Sequence, residues 1–173
     1  MPTELYENLE APKKAVLAAV DTGEYDVETS LEELRELART AGYPVVGTAT
    51  QKLQSPAAAT FMGSGRLLEL KEYLEAVEAD LIIFDEELSP AQMRNIEELC
   101  DCPVLDRTML ILDIFAARAA SGEGKLQVEL ARLQYQLPRL AGRGVQLSRQ
   151  GPVPAEGPVN PSGKWTAATS AAE

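Results

Sequence analysis

Five leucines, Leu126, Leu130, Leu133, Leu137 and Leu140, follow one another at spacings of 4, 3, 4 and 3. That alternation places a leucine on the same helical stripe at every turn, the pattern of a helix lying along another helix. A helical partner is expected a short loop later. Residues 151–173 are instead rich in Gly, Pro, Ala and Ser. The seam is therefore expected to be uncovered by the rest of the chain: mobile, folded back on the body, or borrowed by a neighbouring molecule.

A length of 173 residues suits one domain plus an appendage, and 45% hydrophobic content suffices for a core. No apolar run approaches the roughly 18 residues of a membrane span. Residues 1–14 lack a basic-then-apolar pattern, so no secretory signal is read and a cytoplasmic location is expected. Cys100 and Cys102 form C-x-C, which is neither a redox C-x-x-C nor half of a zinc site; they read as free thiols. The chain has no histidine, which excludes Ser-His and Cys-His catalysis and histidine-bound metal within it.

The net charge of −11 is unevenly spread. Residues 1–106 hold 8 Lys+Arg and 22 Asp+Glu, whereas residues 107–150 hold 7 and 3. The helical region is a basic arm on an acidic body, and the arm is the part suited to a polyanion.

Along the body, apolar runs at 15–20, 44–50, 81–84 and 103–105 read as strands. Between them lie helices. Thr29 or Ser30 caps the first, with Ser30 and Glu33 as a capping box, and Gly42 ends it. Gly63-Ser64-Gly65 opens the second, and Ser89-Pro90 caps and starts the third. The alternation predicts an α/β fold: a small parallel sheet with right-handed crossovers, flanked by helices, followed by a helical arm truncated to its first long helix. From Thr108 a helix apolar nearly all round is expected to be clamped between the sheet and something else. Gly122 and Gly124 break or bend the chain, and Pro138 should kink or end the seam helix near Leu137. The expected divisions are an N-terminal arm at 1–12, an α/β subdomain at 13–121, a helical arm with a basic tip at 122–150, and a disordered tail outside the family at 151–173.

In order, these stretches resemble the N-terminal region of the HflX family of ribosome-associated GTPases. They are Ser30-Leu31-Glu32-Glu33-Leu34, Thr50-Gln51-Lys52, Gly63-Ser64-Gly65-Arg66 (usually G-K-G-K in the family) and Phe84-Asp85-Glu86-Glu87-Leu88-Ser89-Pro90. Asp106-Arg107-Thr108, Ile111-Leu112-Asp113-Ile114-Phe115, Glu123-Gly124-Lys125-Leu126-Gln127-Val128-Glu129-Leu130, Leu137-Pro138-Arg139-Leu140 and Leu147-Ser148-Arg149 continue it. The resemblance covers residues 13–150. It implies an α/β subdomain, then two long antiparallel helices whose basic tip meets rRNA of the large ribosomal subunit, then a GTPase domain; family members split ribosomes. GTP and Mg²⁺ are implied only for that GTPase domain. No G-x-x-x-x-G-K-[ST] loop occurs in these residues, and Gly163-Lys164 is no substitute, because Trp165 follows it. No cofactor and no enzymatic activity are therefore expected of this chain itself.

In the family, the stretch after the basic tip reads roughly G-x-G-T-R-G-P-G-E-T-K-L-E-x-D-R-R-x-I. The tail here differs, yet one base out of step it can encode A-G-T-R-G-G-P-G-E-P-K-W-E-V-D-R-R. Trp165-Thr166 forces the aspartate in that frame. A one-nucleotide frameshift near codon 150 is hypothesised, with an ordinary disordered C-terminus as the alternative. The encoding DNA decides: if its codons yield no such motif in another frame, the frameshift reading fails.

Four candidate sites follow. Asp85-Glu86-Glu87 ends the third strand, where open α/β sheets bind ligands, although such carboxylates more often solvate a loop; no metal site is expected. Gly63, Ser64 and Gly65 at a helix start could cradle a phosphate, and a tight turn is the plain alternative. Asp106-Arg107-Thr108 reads as a cap and an ion pair joining body to arm. Arg139, Arg143 and Arg149, with Gly142 and Gly144 among them, suit rRNA phosphate and base-plane contacts. Three functions compete: a ribosome-binding module, a stand-alone nucleotide-binding domain, and a module that self-associates through Leu126, Leu130, Leu133 and Leu137.

Overall fold

A computed structural model describes residues 11–147. In order these form β1 (Ala15–Asp21), α1 (Val27–Thr40), β2 (Val45–Lys52), α2 (Ser64–Ala76), β3 (Leu81–Phe84), α3 (Pro90–Cys100), β4 (Val104–Asp106), α4 (Arg107–Arg118) and α5 (Gly122–Leu147). The strands make one parallel sheet in the order β2-β1-β3-β4. β1 and β3 are apolar at nearly every position because both sheet faces are covered. Val16, Ala18, Val20, Ile82 and Phe84 pack with Leu67, Leu70 and Leu74 of α2 and Ile96 of α3. Ala15, Leu17, Ala19, Leu81 and Ile83 pack with Leu31, Leu34 and Ala38 of α1 and Leu110 of α4. The α/β architecture with helices on both faces is therefore as expected.

Two expectations about helix ends are corrected. α1 begins at Val27 and its cap is Asp26, whose carboxylate accepts the backbone N–H of Glu28 (3.1 Å) and of Thr29 (3.3 Å). Ser30 and Glu33 are not a capping box, because both are drawn into contacts with distant residues. Of the kink or end expected at Pro138, the end does not occur: α5 continues to Leu147. A proline in a helix interior costs about 3 kcal/mol, so the turn persists where packing holds it from outside. The chain breaks before α5, not within it: Gly122 and Gly124 lie in its first turn, where Ser121 Oγ accepts the N–H of Gly124 at 3.0 Å.

The other ends follow local chemistry. Ser89 caps α3 in a reciprocal box with Gln92, and Pro90 takes the first helical position. Asp106 caps α4 through the N–H of Met109 at 2.9 Å. Pro103 lies just outside β4, where its carbonyl still accepts from Ile82 N at 3.0 Å. α4 lies between α1 and α5 and buries Met109, Leu110 and Ile114, while Phe115 faces outward. No helix among the described residues is long and apolar enough to cross a membrane.

Candidate functional site

The sheet order reverses between β1 and β3, and the carboxyl ends of these strands mark the usual ligand crevice of an open α/β sheet. Here the crevice is filled by the chain's own charges. Asp85, just past β3, is buried; its Oδ2 accepts from Ser30 Oγ at 2.6 Å and its Oδ1 from Arg107 Nη1 at 3.0 Å. The same guanidinium donates from Nη2 to Glu33 at 3.0 Å. Nearby, Tyr25 donates to the Val20 carbonyl at 3.0 Å. Burial first, then the charges of Glu86 and Asp85, push its phenol up to about 12. The network joins α1, β3 and α4.

Gly63 is the N-cap of α2, and its N–H donates to Gln51 Oε1 at 2.8 Å. Ser64 and Gly65 are exposed in the first turn. Arg66 beside them donates to the Thr50 carbonyl (3.2 Å) and pairs with Glu69 (2.7 Å). A phosphate at this turn would have to displace Gln51 from the Gly63 N–H. Among the described residues no hydrogen bond or ion pair joins the turn to Asp85, Glu86 or Glu87.

The arm presents two unlike faces. Val128, Ala131, Arg132, Tyr135, Gln136 and Arg139 are half-buried against α3 and α4, at helical spacings of their own. Leu126, Leu130, Leu133, Leu137 and Leu140 face outward, 45% to 74% exposed. The seam is thus uncovered among the described residues even though α5 is docked on the body.

That docking is polar. Arg132 pairs with Asp113 of α4 at 3.1 Å. Burial raises the Asp113 carboxyl above its ordinary range, opposed by Arg132. Four residues before Arg139, Tyr135 donates its hydroxyl to Asp106 Oδ2; burial, then that hydrogen bond, raises its phenol. Arg139 Nη2 donates to the Leu88 carbonyl at 2.6 Å, with Asp106 Oδ2 at 3.6 Å and Glu87 Oε1 at 3.9 Å. Its Nη1 donates to the Tyr135 carbonyl at 2.9 Å, and its Cζ lies over the Tyr135 ring, 3.6 Å from the ring centre. Asp106 itself is fully buried and also accepts from Leu88 N at 3.1 Å.

Of the three arginines singled out in the sequence, Arg139 therefore sits in the joint between arm and body. Arg143 lies in the last turns of α5, where only the backbone is described, and Arg149 lies outside the described residues. Asp106 makes the anticipated cap and meets the arm through Arg139, whereas the ion pairs of Arg107 go to Glu33 and Asp85 within the body and do not join body to arm. Tyr135, Arg132 and Asp113 were not picked out from sequence. The only signal for Arg132 and Tyr135 is the spacing 128, 132, 135 and 139, off the leucine stripe, and no local pattern marks Asp113.

Fold and arm together define the class, the N-terminal part of a GTP-binding protein. Residues 28–116 match the family model described as GTP-binding GTPase N-terminal, and residues 118–164 match GTP-binding GTPase Middle Region. The first match ends within α4. The second takes in α5 and runs past residue 150, into a stretch outside the described residues. The chain is 54% identical over 132 residues to a GTPase HflX of Alkalihalophilus pseudofirmus, covering 76% of this chain and 31% of that protein. It is 42% identical over 147 residues to GTPase HflX of Escherichia coli, covering 84% of this chain and 34% of that one. A crystal structure of a GTP-binding protein from the archaeon Sulfolobus solfataricus in complex with GDP aligns with TM-score 0.57 at 31% identity. That alignment covers 80% of this chain and 42% of the archaeal one. The chain belongs to the HflX family and carries its N-terminal region. It spans about a third of the length of the curated relatives it matches.

Proposed function

We propose that this chain is the ribosome-binding, rRNA-contacting region of an HflX-like, GTP-dependent ribosome-splitting factor of the cytoplasm, and that this stretch is itself not catalytic. The observation that carries the reading is the charge asymmetry. Residues 107–150 hold 7 Lys+Arg against 3 Asp+Glu, on a body with 8 against 22. The acidic body repels a polyanion, and the basic stretch, whose last cations in sequence are Arg143 and Arg149, attracts one. Nucleotide binding by the body alone is disfavoured, because Gln51 occupies the Gly63 N–H and Arg107 neutralises Asp85.

The test is a salt titration of binding to isolated large ribosomal subunits. Affinity should fall steeply from about 50 to 200 mM salt, with a log–log slope of about −0.9 per phosphate neutralised. Arg143→Glu and Arg149→Glu should weaken binding and flatten the slope. Binding that ignores salt, or no binding, rejects the reading.

A second reading, self-association, is favoured by the outward seam of five leucines. It expects a molar mass by light scattering that rises with concentration and collapses to monomer in Leu130→Gln/Leu137→Gln. A monomer mass at every concentration rejects it.

A further inference from the structure

Arg139 looks from sequence like one more cation of the arm's basic tip, but its surroundings assign it another task. Its side chain is 13% exposed. It reaches the Leu88 carbonyl between β3 and α3, Asp106 at the end of β4, and the Tyr135 ring and carbonyl of its own helix. A guanidinium offers five N–H donors and two faces. Here each Nη bonds a protein carbonyl, Nε is buried without a hydrogen-bond partner and one face is stacked, so no phosphate is met without breaking the joint.

A second anchor lies seven residues earlier, where Arg132 pairs with Asp113. Seven residues are two turns, about 10 Å along the axis. One contact would leave α5 free to pivot about the link at residues 119–121; two, on the same face, fix its direction. Pro138 sharpens the need, since it removes a backbone donor from the helix beside the outer anchor. The Arg139 guanidinium bonds the Tyr135 carbonyl across that turn.

We propose that Arg139 is a positioning residue: with Tyr135 it locks the arm to the body through Asp106, and it sets the arm's direction without touching RNA. The consequence for ribosome binding rests on the function proposed above, whereas the lock itself does not. Two variants separate the roles. Tyr135→Phe removes one hydroxyl and no charge, and Arg139→Met removes the guanidinium but keeps an unbranched apolar side chain.

The first readout is amide hydrogen exchange of the full chain, with α2 as the internal reference. In both variants the α5 amides around 128–136 should exchange about tenfold faster while α2 is unchanged. The second is the salt titration on large subunits. Both variants should bind more weakly with the slope of the parent, because no phosphate contact is lost. Unaltered α5 exchange in both variants overturns the proposal. So does a slope reduced by about 0.9 in Arg139→Met with α5 still protected, which makes Arg139 a phosphate contact. If the parent chain does not bind subunits, the ribosome reading falls, and the exchange result still decides the lock. If Arg139→Met fails to fold, Tyr135→Phe alone decides it by the same two readouts.

Discussion

Replacing Arg107 with methionine should destabilise the body more than its place at a helix start suggests. The Asp85 side chain is 2% exposed and that of Arg107 is 30% exposed, with 3.0 Å between their charged atoms. Removing one member of a buried pair typically costs about 3–5 kcal/mol, because the other charge stays desolvated. Ser30 Oγ still donates to Asp85, and part of the Arg107 side chain is wet, so the upper range does not apply. A loss of about 2–3 kcal/mol remains, about 4–12 °C in melting temperature for a domain of this size. Urea unfolding followed by far-UV circular dichroism measures it. Asp85→Asn in the same background provides the control: with no stranded charge, Asp85→Asn/Arg107→Met should cost at least about 1 kcal/mol less than the two single losses added. If Arg107→Met costs under about 0.5 kcal/mol, or the two losses simply add, then Asp85 is adequately solvated without its partner and the reasoning is wrong.

Three further outcomes are expected. Leu133→Gln on the seam should shift stability by no more than about 0.5 kcal/mol, whereas Leu110→Ala, fully buried, should cost about 2–5 kcal/mol; equal losses in urea melts would mean the seam is covered. Ser89→Ala should cost about 1 kcal/mol by removing the α3 cap, and Gln92→Ala should add a further loss, because its side chain still accepts the backbone N–H of residue 89 and donates to the Ala57 and Ala58 carbonyls; a null effect in the same melts counts against the capping box. Burial raises the thiols of Cys100 and Cys102 from 9.0 to about 11. The fold favours the neutral thiols, so their contribution to stability is complete below pH 9 and is lost as pH rises through about 11. Alkylation of the native chain at pH 8 should be about a hundredfold slower than in denaturant; equal rates would refute it.

What the sequence revealed and what it concealed divide by range. Strand runs such as Leu81–Phe84 and the Ser89-Pro90 cap depend on neighbours a few residues away, so they are legible in one dimension. The start of α1 was misread because Ser30 and Glu33 have the spacing of a capping box, while their partners Asp85 and Arg107 lie far along the chain. Asp26 instead keeps its carboxylate for the first turn, accepting from the N–H of Glu28 and of Thr29 and from the Thr29 hydroxyl. The sequence shows only the intrinsic cost of Pro138, but the contacts of Tyr135 and Arg139 that sustain the helix around it come from the end of β4 and the loop between β3 and α3.

The arm inverts the rule by which amphipathic helices are usually placed. Such a helix is expected to turn its apolar stripe toward its own core and its charges to water. In α5 Arg132, Tyr135, Gln136 and Arg139 face the body together with the small apolar Val128 and Ala131, and the leucines face out. The inversion is tolerable because each inward charge meets a partner: Asp113 for Arg132, and Asp106 with the Leu88 carbonyl for Arg139. A polar inner face fixes direction through hydrogen-bond geometry, which a greasy contact does poorly. It also leaves the leucine stripe 45% to 74% exposed, with Leu140 at the edge of a cavity shared with Pro90 and Met93. The proposed lock and the exposed seam then lie on opposite faces of one helix, the polar face docked on the body and the leucines turned outward.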